Sequence, residues 1–288
     1  MTVLTAACIQ MRSTVSIDQN IEAMDELVRA SGKDGALYIQ TPEMTGLLQK
    51  NRKTLFETIK TQDEDQLVSH SAALAKELRV WLHIGSHAVL VGDELAANRA
   101  FLFSPDGEII THYDKIHMFD VDLDNGESWR ESKVYRSGSE CRLVDCGNWK
   151  LGLGICYDVR FPALFRTQAR AGAHILTSPA AFTRQTGRAH WHILMRARAI
   201  ENGAFMLSAA QGGDHEDGRE TFGHSIMVDP WGKVIAEING EEPGYTVAEL
   251  NLELVTQARQ KVPNLKNEKP FEFDTVEALT PQNPEAAA

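Results

Sequence analysis

Short unbroken apolar runs alternate with longer stretches in which apolar residues recur every three or four positions, which predicts strands and helices in turn. Residues 2–9 (TVLTAACI) read as a buried strand. Asp18 is placed to cap a helix from Gln19 to about Ala30, with Ile21, Met24, Leu27 and Val28 on one face. Gly32 and Gly35 close that helix, and residues 36–40 (ALYIQ) form a second strand that stops at Thr41-Pro42-Glu43. A helix over residues 64–78 precedes the strand WLHIGSHAVL.

Two segments then echo each other. NRAFLF, Ser104-Pro-Asp-Gly107 and EIITHY have the same layout as SIMV, Asp229-Pro-Trp-Gly232 and KVIAEI. Proline presets φ at the second turn position and glycine closes the turn, so both predict strand–turn–strand hairpins. The echo is too short for a repeat architecture and points to two similar halves feeding one sandwich. Between them, residues 151–155 (LGLGI) read as a strand with Cys156 at its end. Pro162 opens a helix to Arg170, residues 173–178 form a strand, and a helix from about 189 to 202 leads into the strand AFMLSAAQ. Largely apolar strands alternating with helices imply an α/β layered fold with covered sheets. No linker divides the chain, so residues 1–270 are read as a single domain and 271–288, with Pro281 and Pro284, as an extended tail.

Charge narrows the field. The 288 residues carry 29 Lys and Arg against 40 Asp and Glu, a net charge of −11. Such a surface repels phosphate backbones, and no basic block offsets it, so nucleic acid is not an expected partner. The N-terminus lacks a basic, then apolar, export pattern, and no apolar run approaches the roughly 20 residues needed to cross a bilayer. A cytoplasmic protein with reduced thiols is expected, since Cys8, Cys141, Cys146 and Cys156 have gaps unlike CxxC or paired zinc spacings.

Three residues invite chemistry. Cys156 ends a strand just before a turn into a helix, where the next backbone N–H groups (Tyr157, Asp158) can face an oxyanion; it reads either as a nucleophile or as a small core hydrophobe. Glu43 ends a buried strand, where partial burial would raise its pKa into general-base range, or else it is a solvated loop residue. Lys115 follows the first hairpin and either holds an oxyanion or pairs on the surface with Asp114.

The stretches TPE, YDKIHMFD and GLGICYDVRFPALFR, in that order, resemble the nitrilase superfamily of carbon–nitrogen hydrolases over residues 3–270. The resemblance implies a four-layer αββα sandwich. It makes Glu43 the general base, Lys115 the oxyanion-stabilising cation, Cys156 the nucleophile, and Glu131 in WRESK the second glutamate that positions a substrate amide. KIHMFDVDL, TGRAHW, RARAIEN and GHSIMVDPWG are similar to the amidase branch that acts on deaminated glutathione or on omega-amides of 2-oxo acids, and AAQGGDH favours the former. Relatives in that branch carry Glu after the AHW motif, where this chain has His192.

The implied reaction is amide hydrolysis through a thioester, with Lys115 and the Tyr157 N–H on the oxyanion and no metal or organic cofactor. A carboxylate on the substrate asks for a pocket cation, for which Arg160 and Arg184 are the candidates, with Phe182 and His190 as further substrate contacts. The resemblance also implies at least a homodimer. The rival readings are a nitrile or N-carbamoyl hydrolase and, in another class, a non-catalytic interaction scaffold. Two decoys complete the list. Asp120-Val-Asp-Leu-Asp124 with Glu131 imitates a calcium loop, but Asn125 stands where glycine is required. Asp214-His-Glu-Asp-Gly-Arg-Glu220 reads as a solvated loop near the pocket mouth, not as a metal site.

Overall fold

The computed structural model describes residues 2–123, 126 and 128–276. In the first half, β1 (Val3–Gln10), α1 (Ile17–Lys33), β2 (Tyr38–Gln40), α2 (Arg52–Thr58), α3 (Gln66–Leu78), β3 (Trp81–Gly92), β4 (Leu95–Phe103) and β5 (Ile109–Asp114) follow one another. β6 (Asp120–Asp122) and β7 (Ser128–Arg130) form a small ribbon. The second half runs through β8 (Leu143–Asp145), β9 (Lys150–Gly152), α4 (Pro162–Arg170), β10 (Ile175–Thr177), α5 (Arg184–Asn202) and β11 (Phe205–Ser208). A second ribbon, β12 (Gly212–Asp214) with β13 (Glu220–Phe222), precedes β14 (Ile226–Val228), β15 (Val234–Glu237), β16 (Gly244–Asn251), α6 (Glu253–Lys261) and α7 (Asn264–Asn267).

The expected pseudo-symmetry is present. One sheet has the order β16-β1-β2-β3-β4-β5 and the other β15-β14-β11-β10-β9-β8. Each holds three parallel strands (β1-β2-β3 and β9-β10-β11) continued by an antiparallel hairpin. The hairpins close alike: Gly107 N–H donates to Ser104 O and Gly232 N–H to Asp229 O, each at 2.9 Å. Both glycines have φ above 80°, which a side chain resists.

Alternation along β1 explains the layers. Ala6 and Cys8 face inward with Tyr38, Leu102, Leu151 and Leu207, where the sheets meet. Ala7 and Ile9 face outward with Met24 and Val28 of α1 and Leu67 and Leu74 of α3. Phe165 of α4 and Trp191 and Met195 of α5 cover the second sheet. This is the four-layer αββα arrangement, and β1 is largely apolar because both its faces are covered. Among the described residues, no helix is long and apolar enough to cross a membrane.

Several boundaries depart from expectation. Ser16, not Asp18, caps α1, its side chain accepting from Gln19 N–H, and Asp18 sits in the first turn beside the helix dipole. α5 starts at Arg184, with Thr183 as the cap, because Gly187 is accommodated as a contact with Phe222 instead of breaking the helix. The strand expected at 151–155 stops at Gly152, and Cys156 opens a 3₁₀ turn, Cys156–Arg160. β16, α6 and α7 carry no pattern strong enough to have been anticipated. Residues 271–276 are exposed and irregular, while 277–288, with Pro281 and Pro284, lie outside the described residues.

Candidate active site

Glu43 follows β2, Lys115 follows β5 and Cys156 follows β9, all beyond strand C-termini, where α/β sheets leave a crevice. The three side chains line one cavity of about 260 Å³. Close approach of the two sheets there depends on Gly85 of β3. A Cβ on it would lie 2.1 Å from Thr41 O and 2.4 Å from Pro179 Cβ, so only glycine lets the Glu43 loop sit against the loop after β10.

Cys156 has φ +48°, a left-handed conformation that non-glycine residues adopt only when the surroundings impose it. Its N–H donates to Pro179 O at 2.9 Å, and its carbonyl accepts from Ser178 Oγ at 3.3 Å. Asp158, fully buried, holds the turn from within by accepting from Ile155 N–H at 2.9 Å. It also accepts from the Tyr113 hydroxyl and the His117 N–H, so the Cys156 turn and the segment around Lys115 share one anchor. Tyr157 N–H lies in the first turn of the 3₁₀ segment, where backbone donors have no acceptor within the helix.

Lys115 is 2% exposed and donates to Glu43 Oε1 at 2.8 Å and to Glu131 Oε2 at 2.9 Å. The surface alternative for it fails, because Asp114 is taken by Arg99 and Arg136. Asn98 Nδ2 bridges the two carboxylates, 2.9 Å from Glu43 Oε1 and 3.0 Å from Glu131 Oε1. Ala181 N–H holds Glu43 Oε2 at 2.8 Å, and Phe119 N–H holds Glu131 Oε2 at 2.7 Å. Sequence reasoning did not find Asn98 or Ala181, since nothing local marks a donor whose partners are 33 to 138 residues away, nor the Asp158 carboxylate as the acceptor that joins the two segments.

The electrostatics follow from two carboxylates, one ammonium and one thiol in a dry site. Burial pushes the Cys156 thiol well above the usual cysteine range, the Glu43 carboxylate pushes it the same way, and Lys115 only partly opposes them. The resting sulfur is therefore protonated, and the thiol is hydrogen-bonded to Glu43. Burial works against the charge of Lys115 too, but Glu131 and Glu43 override it and hold the ammonium firmly charged. Glu43 corrects an expectation. Burial does push its carboxyl up, but the Lys115 charge and hydrogen bonds from Lys115, Cys156 and Asn98 outweigh that push and leave it below the ordinary carboxylate range. The chemistry available is proton transfer from a neutral thiol to a poised carboxylate, beside a fixed cation.

The other candidates divide. Arg160 and Phe182 line the cavity, the guanidinium 5.5 Å from the Phe182 ring centroid. Arg160 has no carboxylate partner among the described residues, and its Nη2 lies 3.2 Å from His190 Nδ1. His190 itself is exposed and off the cavity lining. Arg184 is likewise off the lining and is tied up by Asp214, Glu220 and Glu241, each at 2.7 Å. Arg219, unforeseen, does line the cavity, 5.2 Å from the Trp129 ring centroid and paired with Asp217.

Neither decoy behaves as a metal site. Glu131 turns inward to Lys115, Asp122 pairs with Arg130, and Asp120 accepts from Ser132. Asp124 and Asn125 lie outside the described residues. In the 214–220 loop, Asp214, Glu216, Gly218 and Glu220 are exposed, as expected of a solvated loop, while His215 alone is buried, between Ser13 O and Thr221 Oγ1.

A buried thiol, a carboxylate and a fixed ammonium beside one cavity are the equipment of a cysteine-dependent hydrolase. The carbon-nitrogen hydrolase family model matches residues 5–260, and the chain belongs to that family, within the nitrilase superfamily. It is 37% identical over 270 residues to the deaminated glutathione amidase of Synechocystis, covering 91% of this chain and 97% of that one. The NitFhit protein of C. elegans superposes with a TM-score of 0.84 at 32% identity; the match covers 93% of this chain but only about two thirds (65%) of that one. Nit3 of Saccharomyces cerevisiae, a member of branch 10 of the superfamily, superposes with a TM-score of 0.81 at 28% identity, covering 91% and 94%.

Proposed function

We propose that this chain hydrolyses a small, carboxylate-bearing amide to the acid and the amine on the other side of the broken C–N bond, with deaminated glutathione as the substrate and Glu43, Lys115, Cys156 and Glu131 as the working residues. The observation that carries the reading is the contact of one buried ammonium with Glu43 and Glu131 in the cavity that Cys156 lines. The curated relatives named for deaminated glutathione support the choice of substrate.

Cys156 Sγ attacks the amide carbon while its proton passes to Glu43, so that no free thiolate need accumulate in a site that disfavours one. The developing oxyanion meets Lys115 Nζ and the Tyr157 N–H. Collapse breaks the C–N bond, and Glu43 returns the proton to the departing nitrogen, giving the free amine and a thioester. Water then gives a proton to Glu43 and attacks the thioester; the C–S bond breaks, the acid leaves, and the thiol regains its proton. Glu131 also holds the ammonium and accepts the substrate amide N–H. Arg160 is the cation for the substrate carboxylate.

A homo-oligomer in the cytoplasm completes the reading. Exposed Ile193, Ile200 and Trp231 support the first part, and four unpaired cysteines support the second. The test is product release, read as free amine from deaminated glutathione and as ammonia from 2-oxo acid omega-amides, a nitrile and an N-carbamoyl amino acid, with mass spectrometry of the quenched protein. Fastest turnover of deaminated glutathione and an acyl adduct on Cys156 are expected. Turnover of the nitrile alone, or an unmodified Cys156 with neither amine nor ammonia released, overturns the proposal in favour of a nitrilase or a scaffold respectively.

A further inference from the structure

We propose that His192, His224 and Glu237 form a binding site for a divalent first-row transition-metal ion of the zinc type, on the side of α5 away from the cavity lining. His192 Nε2 lies 2.8 Å and His224 Nδ1 2.9 Å from the same oxygen, Glu237 Oε1. One ligand atom from each of the three lies within 4.8 Å of the others. A tetrahedral ion with bonds near 2.1 Å spaces its donors by roughly 3.3 Å, so small side-chain rotations open the triangle enough to admit it.

The three donors come from three anchored pieces of backbone. His192 is on α5, His224 lies two residues before β14, and Glu237 ends β15, paired in register with Ile226. His224 sits at φ +59°, held by its N–H to Gly240 O at 3.1 Å and by Trp191 Nε1 donating to its carbonyl at 2.8 Å. Its ring stacks on Phe222 at 4.3 Å, and the His192 ring meets Phe222 edge-on at 6.1 Å. Packing that fixes ring orientation is what metal-binding imidazoles need from their surroundings.

Donor chemistry sets the ion class. Two imidazoles and one carboxylate suit zinc and its neighbours, and are too rich in nitrogen for calcium or magnesium. The side chains are 39%, 23% and 17% exposed, so an ion enters from solvent and water completes its shell. Without an ion, both rings donate N–H to Glu237. On binding, each ring offers that nitrogen's lone pair and carries its proton on the other nitrogen instead. The ion would tie α5 to the β14–β15 hairpin, behind Phe222, whose N–H donates to Phe182 O of the cavity wall at 3.0 Å.

The test uses the full-length protein after chelator treatment, titrated with Zn²⁺ by calorimetry and with Co²⁺ by visible absorption. One ion per chain is expected, with d–d bands of low-coordinate cobalt and a rise in thermal midpoint at saturating Zn²⁺. Glu237→Gln and His192→Ala should each weaken binding by about a hundredfold. His70→Ala, which removes another histidine–carboxylate pair, should bind like wild type. Glu237→Gln keeps the side-chain shape, so its circular dichroism separates lost binding from lost folding. Less than tenfold weakening in both variants, or no saturable uptake by wild type, overturns the site and leaves a hydrogen-bonded triad.

Discussion

The Tyr113 hydroxyl donates to Asp158 Oδ2 at 2.7 Å, across the interface between the two sheets and with both residues buried. Asp158 also accepts from Ile155 N–H, His117 N–H and His117 Nδ1, so one carboxylate sets the distance between the Cys156 turn and the Lys115 segment. Tyr113→Phe should cost about 1–3 kcal/mol of stability by leaving a lone pair of a buried carboxylate unpaired. Asp158→Asn should lower kcat/KM by tenfold or more, because an amide cannot accept all four of these hydrogen bonds. Urea unfolding and amidase kinetics measure the two effects; an Asp158→Asn enzyme within twofold of wild type would show that the anchor is dispensable.

Glu43→Gln separates reactivity from turnover. The Glu43 charge raises the Cys156 pKa, so removing it brings the thiol pKa down. Alkylation of Cys156 by iodoacetamide at mildly alkaline pH should therefore speed up, while amide turnover falls by roughly 10²–10⁴ for loss of the general base. Slower alkylation in the variant would mean that the carboxylate acts on the thiol by orientation, not by charge.

The two arginines should behave oppositely. Arg160→Ala should raise KM for anionic amides about tenfold or more and leave neutral amides unaffected, as expected for a lost charge-assisted hydrogen bond. Arg184→Ala should leave KM unchanged and lower the thermal midpoint, since it strands Glu241 and its neighbours. Equal effects on KM would contradict the placement of Arg184 outside the pocket.

Acid stability should carry the signature of His83. Burial holds its pKa down at about 3, with no hydrogen-bond partner for Nε2. The unfolded imidazole takes up a proton near pH 6.5 and the folded one does not until about pH 3. Between those values the unfolded state holds more protons, so stability falls as pH falls, by up to about 1.4 kcal/mol per unit from this group. His83→Gln should flatten that slope in denaturant titrations over pH 6.5 to 4. Identical slopes would assign the acid sensitivity to other groups.

What the sequence by itself determined is local or periodic. Apolar runs marked the parallel strands, the two Pro-Gly turns marked the hairpins, and Glu43, Lys115 and Cys156 were legible as candidates because each follows a strand within a dense motif. The tertiary structure alone decided what those residues face. Whether Lys115 pairs with Asp114 next to it or with Glu43 and Glu131 depends on Arg99 and Arg136 claiming Asp114 first. Whether Glu43 is raised by burial or lowered by a neighbour depends on an ammonium 72 residues along the chain. Arg160 and Arg184 look alike in sequence, and only the acidic cluster around Arg184 separates a free pocket cation from a structural one. Charge and hydrogen bonding act through space at a few ångströms, and that proximity is created by packing sheet against sheet.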